Sequence, residues 1–213
     1  MGIERDTGTA MRPTQAQRRE ESHARLLAAA AEIIATEGFA AASFDRIGAR
    51  AGYSRGLASA KFGSKNGLVT ALIAHLIARG ADHEVRAGQP QQCPLQRVLA
   101  YADTVLQQIE SDVLLRAYWV MMAAAIGNRA PNQAAFLAEH EKVKNRLSAD
   151  IAAGQGAGEI DPGLDPDSTA LAIGSSLLGV AVECLLDPGF DIAKVRGVTL
   201  SAVARMLAPL PPP

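Results

Sequence analysis

The sequence predicts an all-α protein of about nine helices, and three observations predict it. Apolar residues recur at three- and four-residue spacing through every long segment, glycine and proline fall between those segments, and no stretch alternates as a strand does. The first helix runs over about residues 14–37, with Leu26, Ala30 and Ile34 in its buried stripe and Leu27 and Ala31 beside them. Gly38-Phe39 breaks it. Ser43 is a natural N-cap, Asp45 complements the dipole of the following helix, and Phe44, Ile47 and Ala51 form one apolar face. Gly52 falls where that helix must stop, and Ser54 caps a short third helix to about residue 61. A turn at Gly63-Ser64 feeds a fourth helix carrying Leu68, Leu72, Leu76 and Ile77.

Residues 88–94 read as a loop, with Pro94 at a helix start. The fifth helix is strongly periodic through Leu95, Val98, Leu99, Ala102, Val105, Leu106 and Ile109, and the sixth covers about residues 112–126 before Gly127-Asn128. The seventh starts near Pro131 and reaches about residue 153, with Leu137, His140, Val143, Leu147 and Ile151 inward. Residues 154–163 form a glycine-rich connection. Asp165 as N-cap, Pro166 at the first position and Asp167 in the first turn open the eighth helix. It carries two apolar stripes: Leu171, Gly174, Leu178, Val182 and Leu185, and Ile173, Leu177, Val180 and Cys184. A helix apolar nearly all round must be covered on both sides, by a partner subunit or by a central place in one subunit. The ninth, over about residues 191–207, carries Ile192, Val195, Thr199, Ala202 and Met206.

Charge is unevenly placed. Residues 1–80 hold 11 Lys/Arg against 7 Asp/Glu and residues 81–213 hold 10 against 15, which hides +4 and −5 inside a net −1. A basic N-terminal part on an acidic remainder suits docking on nucleic acid at one end, and the modest magnitude calls for two copies acting together. The first twenty residues contain no apolar run and read as neither signal peptide nor anchor. Arg5, Arg12, Arg18 and Arg19 there form either a mobile basic arm near DNA or an incidental feature of a disordered tail. The longest charge-free run lies between Asp167 and Glu183, shorter than the about 20 residues of a membrane span, so no membrane partner is expected.

Cys93 and Cys184 are expected as free thiols in a cytoplasmic chain. His75 and His83, two helical turns apart, lack a metal-ligand pattern, and Asp161, Asp165 and Asp167 are explained by helix capping. No catalytic constellation and no phosphate-binding glycine loop is present in the sequence, so no cofactor is expected.

Residues 43 to 65 are the most informative stretch: two short helices about a tight turn, the second turning Arg55 and Lys61 outward, with Lys65 just beyond. A short basic helix held rigidly by its predecessor is what a DNA major groove requires. The frame A-G-Y-S-R-G-L-x-x-x-x-F-G-S-K-x-x-L from Ala51 to Leu68, preceded by the apolar helix that starts near Arg25 and ends at Gly38-Phe39, resembles the DNA-binding region of TetR-family regulators. Ser59-Ala60-Lys61-Phe62 stands where that family usually has Tyr-x-His-Phe, and Ser59 and Lys61 can also reach phosphates, by hydroxyl and by charge.

The resemblance implies a flexible arm over residues 1–20, a helix-turn-helix domain over 21–80, and a ligand-binding and dimerisation domain over 81–213. It implies a homodimeric regulator, most simply a repressor, that binds a palindromic double-stranded DNA operator and is released by a small molecule. The alternative is a related fold that has lost operator binding and serves as a ligand- or partner-binding module. By match to the family, Arg55 and Leu57 face base edges, Tyr53 meets the backbone or a thymine methyl, and Ser43, Arg46, Ser59, Lys61 and Lys65 hold phosphates, with Ser54 at the start of the reading helix. The looser segments Arg116-Ala-Tyr-Trp, Gly158-Glu-Ile and Asp165-Pro-Asp-Ser-Thr-Ala-Leu are similar to a C-terminal ligand domain of the family. Its pocket candidates are Tyr101, Tyr118, Trp119, Met121, Met122, Phe136 and His140. Arg116 is either a stacking partner of Trp119 or a solvated surface residue, and His140 either orients a ligand or is a hydrogen-bonded core histidine. In TetR-like proteins the last two helices pair with their symmetry mates, which here implies a dimer interface of Gly174, Ser175, Leu178 and Val182 with Val195, Thr199, Ala202 and Met206.

Overall fold

The computed structural model describes residues 14–87, 92–187 and 189–209, with the backbone alone over 80–87. The described residues form nine α-helices and one short turn of 3-10 helix, with no strand among them. In chain order they are α1 (Gln15–Glu37), the 3-10 turn Phe39–Ala41, α2 (Phe44–Ala51), α3 (Arg55–Phe62), α4 (Lys65–Ala87), α5 (Pro94–Ser111), α6 (Val113–Gly127), α7 (Gln133–Gly156), α8 (Pro166–Leu186) and α9 (Ile192–Leu207).

Side-chain caps set most of these starts. The Thr14 hydroxyl accepts from the Gln17 N–H while Gln17 Oε1 accepts from the Thr14 N–H, a reciprocal capping box that fixes the first turn of α1. Ser43, Ser54, Asp112, Asp165 and Asp191 cap α2, α3, α6, α8 and α9 in the same sense, each accepting from a backbone N–H of the first turn. Asp112 also ties two helices together. Its Oδ1 caps α6, and its other carboxylate oxygen accepts an ion-paired hydrogen bond from Arg79 of α4.

Several expectations need correction. Arg18 and Arg19 stand in α1 and not in a free arm, and the boundaries expected at 20/21 and 80/81 fall inside α1 and α4. Arg5, Arg12 and most of the 88–94 loop lie outside the described residues. Helix α7 starts two residues later than Pro131 and extends through Gly156, absorbing part of the glycine-rich connection. Leu137 is 62% exposed, and its neighbour Phe136 takes the inward place with Leu147 and Ile151. Ile77 is likewise exposed, at 42%.

The buried apolar residues form one continuous cluster from α1 to α9. Leu26, Ala30 and Ile34 of α1 are fully enclosed, with Ile47, Ala58, Leu68 and Leu72 in the same core. Helix α1 also packs along α6, so the first helices and the larger helical body share a spine. Within the body, α5 is enclosed by α7, α8 and α9. Two ion pairs fasten it: Arg97 to Asp150 of α7 at 2.6 Å, and Arg196 of α9, bidentate on Asp103, at 2.6 and 2.8 Å. The Arg196 guanidinium holds the Asp103 carboxyl below its ordinary range.

Helix α8 buries Ala170, Ile173, Leu177 and Ala181. It spans 21 residues with a mean hydropathy of 1.8 over an 18-residue window, which by length and composition alone is enough to cross a membrane, although its charge-free run is shorter. Both cysteines are free, and burial pushes the Cys184 thiol up in spite of nearby Arg116.

The α2–α3 angle is set by backbone contact. Gly52 takes a left-handed conformation (φ 77°, ψ 30°), and the Tyr53 N–H donates to the Gly48 carbonyl at 2.8 Å, closing the end of α2. A methyl group at Gly48 would lie 2.9 Å from the Tyr53 carbonyl oxygen and 3.0 Å from Ser54 backbone atoms. Inside a helix Gly→Ala ordinarily gains up to about 1 kcal/mol. Here the sign reverses: Gly48→Ala is expected to cost about 1–3 kcal/mol through overpacking, read as a lower urea midpoint. A midpoint at or above that of the parent protein would show that the turn yields freely.

Candidate nucleic-acid interface

Helix α3 lies outward across α2, and its own buried residues are Ala58 and Phe62. Phe62 is wedged between the rings of His23 and Phe44, at centroid distances of 5.7 and 6.3 Å. These anchors leave Ser54, Arg55, Gly56 and Ala60 exposed and Leu57 and Ser59 half-buried. Such a helix can enter a groove without giving up its own core.

The expected DNA-binding residues all sit on or beside this helix, and most are engaged within the protein. Arg55 reaches Asp45 at 3.6 Å, an open pair with both side chains mostly exposed. Arg46 pairs with Glu37 at 2.5 Å, and Arg50 with Glu32 at 3.2 Å. Ser43 and Ser54 spend their hydroxyl acceptors on the caps of α2 and α3. Lys61 donates to the Arg19 carbonyl at 2.9 Å, and Lys65 to the Ala40 carbonyl at 3.1 Å while lying over the Phe39 ring. Tyr53 lies under the Arg25 guanidinium, 5.1 Å from its centroid. Nothing in the sequence singles out Arg25 for this contact; its four-residue spacing before Ala29 marks only a helix face, and the partner is remote along the chain.

On α8 and α9 the expected dimer residues divide. Ser175 and Val182 on α8 and Ala202 on α9 are exposed, while Gly174, Leu178, Val195, Thr199 and Met206 are half-buried. Met206 and Leu178 pack against the core. The strongest outward stripe is Leu171 (61% exposed), Ser175, Gly179, Val182 (42%) and Leu186 (72%), beside Val198 (66%) of α9. Leu171 and Val182 belong to the expected stripe, whereas Leu186 replaces Leu185 and Val198 joins it.

The expected pocket residues come together around α6 and α7. Tyr118 meets Trp119 and Phe136 edge-on at 5.2 Å each, and His140 sits 6.4 and 6.3 Å from Tyr118 and Trp119. Met121 and Met122 are buried, and Tyr101 lies under the Arg146 guanidinium at 4.9 Å. Arg116 does not stack on Trp119; it donates to the Glu110 carbonyl at 3.2 Å. Among the described residues two polar side-chain atoms are enclosed without a hydrogen-bond partner: Trp119 Nε1 and Asn132 Oδ1. Asn132 stands at the start of α7, one turn before Phe136, and gives no signal in the sequence because a loop asparagine ordinarily faces water.

Burial, with Glu139 and Tyr101 adding to it, pushes the Tyr118 phenol well above its ordinary value. Burial lowers the pKa of His140, so the cluster favours a neutral imidazole. Because the folded value lies below the unfolded one, this stability is whole above about pH 6.5 and is lost as pH falls through the folded value. Unfolding free energy is therefore expected to fall on acidification below about pH 6.5, and His140→Gln to flatten that fall. Urea midpoints across this range check it, and parallel curves for the two proteins would remove His140 as the source.

Residues 26–72 match the family model for bacterial regulatory proteins of the tetR family. No curated protein matches the chain by sequence. Among solved structures, one described as the molecular basis for control of antibiotic production by bacterial hormones is 23% identical with a TM-score of 0.72, covering 88% of this chain and 98% of that one. A protein assigned to the TetR family from Rhodococcus sp. is 21% identical at 0.72, covering 89% and 100%. SmeT in complex with triclosan is 21% identical at 0.72, covering 90% and 99%; SmeT is the repressor of the Stenotrophomonas maltophilia multidrug efflux pump SmeDEF. These similarities establish a shared fold along nearly the whole chain. The match over residues 26–72, which takes in the outward α3 and its glycine turn, makes the first helices similar to bacterial regulatory proteins of the tetR family, and the solved structures share the fold of the whole chain.

Proposed function

We propose that the protein is a homodimeric repressor that binds a palindromic operator and is released by a small molecule. The observation that carries the reading is α3 itself: exposed along Ser54, Arg55 and Gly56, and anchored behind by Ala58 and Phe62. In the dimer each copy sets α3 in one major groove of a half-site. Arg55 and Leu57 face the bases, Tyr53 meets the backbone or a thymine methyl, and Ser43, Arg46, Ser54, Ser59, Lys61 and Lys65 lie toward the backbone.

The second half of the reading rests on the aromatic cluster. An enclosed indole N–H without an acceptor costs about 1–3 kcal/mol, and a ligand carrying an acceptor would remove that cost. SmeT, a structural neighbour, was solved with triclosan, and another neighbour is a gamma-butyrolactone receptor. A neutral, largely apolar effector fits a cluster whose histidine and tyrosine are both held uncharged. The effector acts by preferring a conformation whose two reading helices miss the operator spacing.

A second reading has its own observation. Lys61 and Lys65, both assigned to phosphates, donate to carbonyls of their own chain. A protein that kept those bonds and made no other phosphate contact would bind DNA weakly and without sequence preference, and would serve as a ligand-binding module.

Selection of the purified protein on random duplex DNA separates the two. Recovery of a palindrome, bound far more tightly than bulk DNA, supports the operator reading; only salt-sensitive, sequence-blind binding supports the other. Trp119 is the single tryptophan of the chain, so its fluorescence reports an effector entering the cluster directly. On the selected operator, Arg55→Ala is expected to lose about 1–3 kcal/mol and to relax preference at one base pair. A base-substitution scan with unchanged preference would take Arg55 out of the base-reading set. Leu171→Glu places a charge on the exposed α8 stripe and is expected to shift the protein from dimer to monomer in sedimentation equilibrium. A Leu171→Glu dimer of unaltered affinity would move the interface elsewhere.

A further inference from the structure

We infer that the first two turns of α1 form a second DNA-backbone contact, in which Arg18 and Arg19 bind phosphates of the strand running beside α3; the inference rests on the operator-binding reading above. Between α1 and α3 lies a cavity of about 530 Å³. One wall is Tyr53, Leu57 and Lys61 of the reading helix and its turn, and the other is Arg18 and Arg19. Among the described residues no carboxylate lines it. A duplex that offers base edges to Arg55 and Leu57 must run its sugar-phosphate backbone along a neighbouring surface. The α1 wall is such a surface, and its charge has the right sign.

Pairing separates these two arginines from others nearby. Arg46, Arg50 and Arg55 each lie within 4.0 Å of a carboxylate, at 2.5, 3.2 and 3.6 Å. Among the described residues no ion pair involves Arg18 or Arg19, although both are exposed. Glu37, Glu32 and Asp45 thus offset the arginines of α2 and α3, and among the described residues no ion pair offsets the charge of the groove.

The wall is also held in place. The Thr14–Gln17 capping box fixes the first turn of α1. The Arg19 carbonyl accepts from the Ser22 hydroxyl at 2.9 Å and from Lys61 Nζ at 2.9 Å, which braces α1 against the end of α3. The two arginines therefore travel with the reading helix as one body. The Lys61 bond becomes part of the grip: it places the lysine charge in the groove while fixing the helix that carries the other two.

The test uses the full chain on two duplexes, the operator recovered by selection and an unrelated sequence of equal length. Binding is titrated against salt for the parent protein, for Arg18→Ala/Arg19→Ala and for Arg18→Lys/Arg19→Lys, with helix content checked by circular dichroism. The alanine pair is expected to weaken both duplexes alike and to make the slope of log affinity against log salt shallower by about two. The lysine pair is expected to restore the slope, and the base preference at the Arg55 position to stay unchanged. An unaltered slope in the alanine pair overturns the inference, as does a loss that the lysine pair fails to rescue. Failure of the parent protein to prefer any sequence would instead overturn the operator reading.

Discussion

Helix α1 is the constraint on which the rest of the molecule depends, because its buried surface serves two sets of neighbours at once. Leu26, Ala30 and Ile34 are fully enclosed, and Leu27 and Ala31 line the junction where α1, α4 and α6 meet, beside Leu114. At about 25 cal/mol per Å² of apolar surface, loss of either contact would be costly, so the reading helices cannot swing free of the body. A motion that repositions α3 has to pass through the α1–α4–α6 junction. The small residues Ala28 and Ala31 there leave a cavity of about 530 Å³ beside the Arg79–Asp112 pair. Movement at that point meets less packing resistance than elsewhere along α1.

The Arg79–Asp112 pair has a place in that motion but not the strength to drive it. Arg79 is 47% exposed and Asp112 13%, and half-exposed pairs contribute about 0–1 kcal/mol. The same carboxylate caps α6, though, so a shift of the α6 start and a shift of α4 are geometrically one event. Tyr118 and Trp119 stand on α6, within two turns of that cap. A ligand that parts those rings acts on the helix whose first turn is tied to α4. In the proposed effector response the coupling energy would come from repacking around α6, with the ion pair setting direction.

Local chemistry is legible in the sequence and remote chemistry is not. Caps at Ser43, Ser54, Asp112, Asp165 and Asp191 depend on residues two to three positions away, and those helix starts can be read within a residue. The first residue of α7 is harder to place because Asn132 makes no side-chain cap. Leu137 and Phe136 show the limit of periodicity: a spacing that alternates threes and fours leaves adjacent apolar residues equivalent until packing chooses between them. Leu185 and Leu186 repeat it. The aromatic cluster can be gathered from its helices, but not the orphaned Trp119 Nε1, which depends on what surrounds the ring. Lys61 is the sharpest case. Its charge suggests phosphate, yet its partner is a backbone carbonyl 42 residues away, in a helix whose first turns have the composition of a free arm.

Helix α8 shows why composition alone is a poor guide to what covers a surface. Its mean hydropathy of 1.8 over an 18-residue window, in a helix of 21 residues, satisfies the arithmetic of a bilayer crossing. Yet Asp167 and Glu183 lie within it, Asp167 accepts from Ser148 of α7, and Ala170, Ile173, Leu177 and Ala181 are spent on the core. What is left is one narrow stripe, with Leu171 and Leu186 at its ends and Ser175 and Gly179 between them. A lipid-facing helix has no need for small residues at mid-stripe, whereas two helices crossing closely do, since backbone approach is limited by the side chains between them. Apart from the backbone of α8 itself and the adjoining residues, no described atom lies within 4 Å of where a Cβ would stand at Gly174 or Gly179. Space for a close neighbour is thus present at the middle of the stripe, with large apolar side chains on either side, which is where the proposed dimer would bring a second copy of α8.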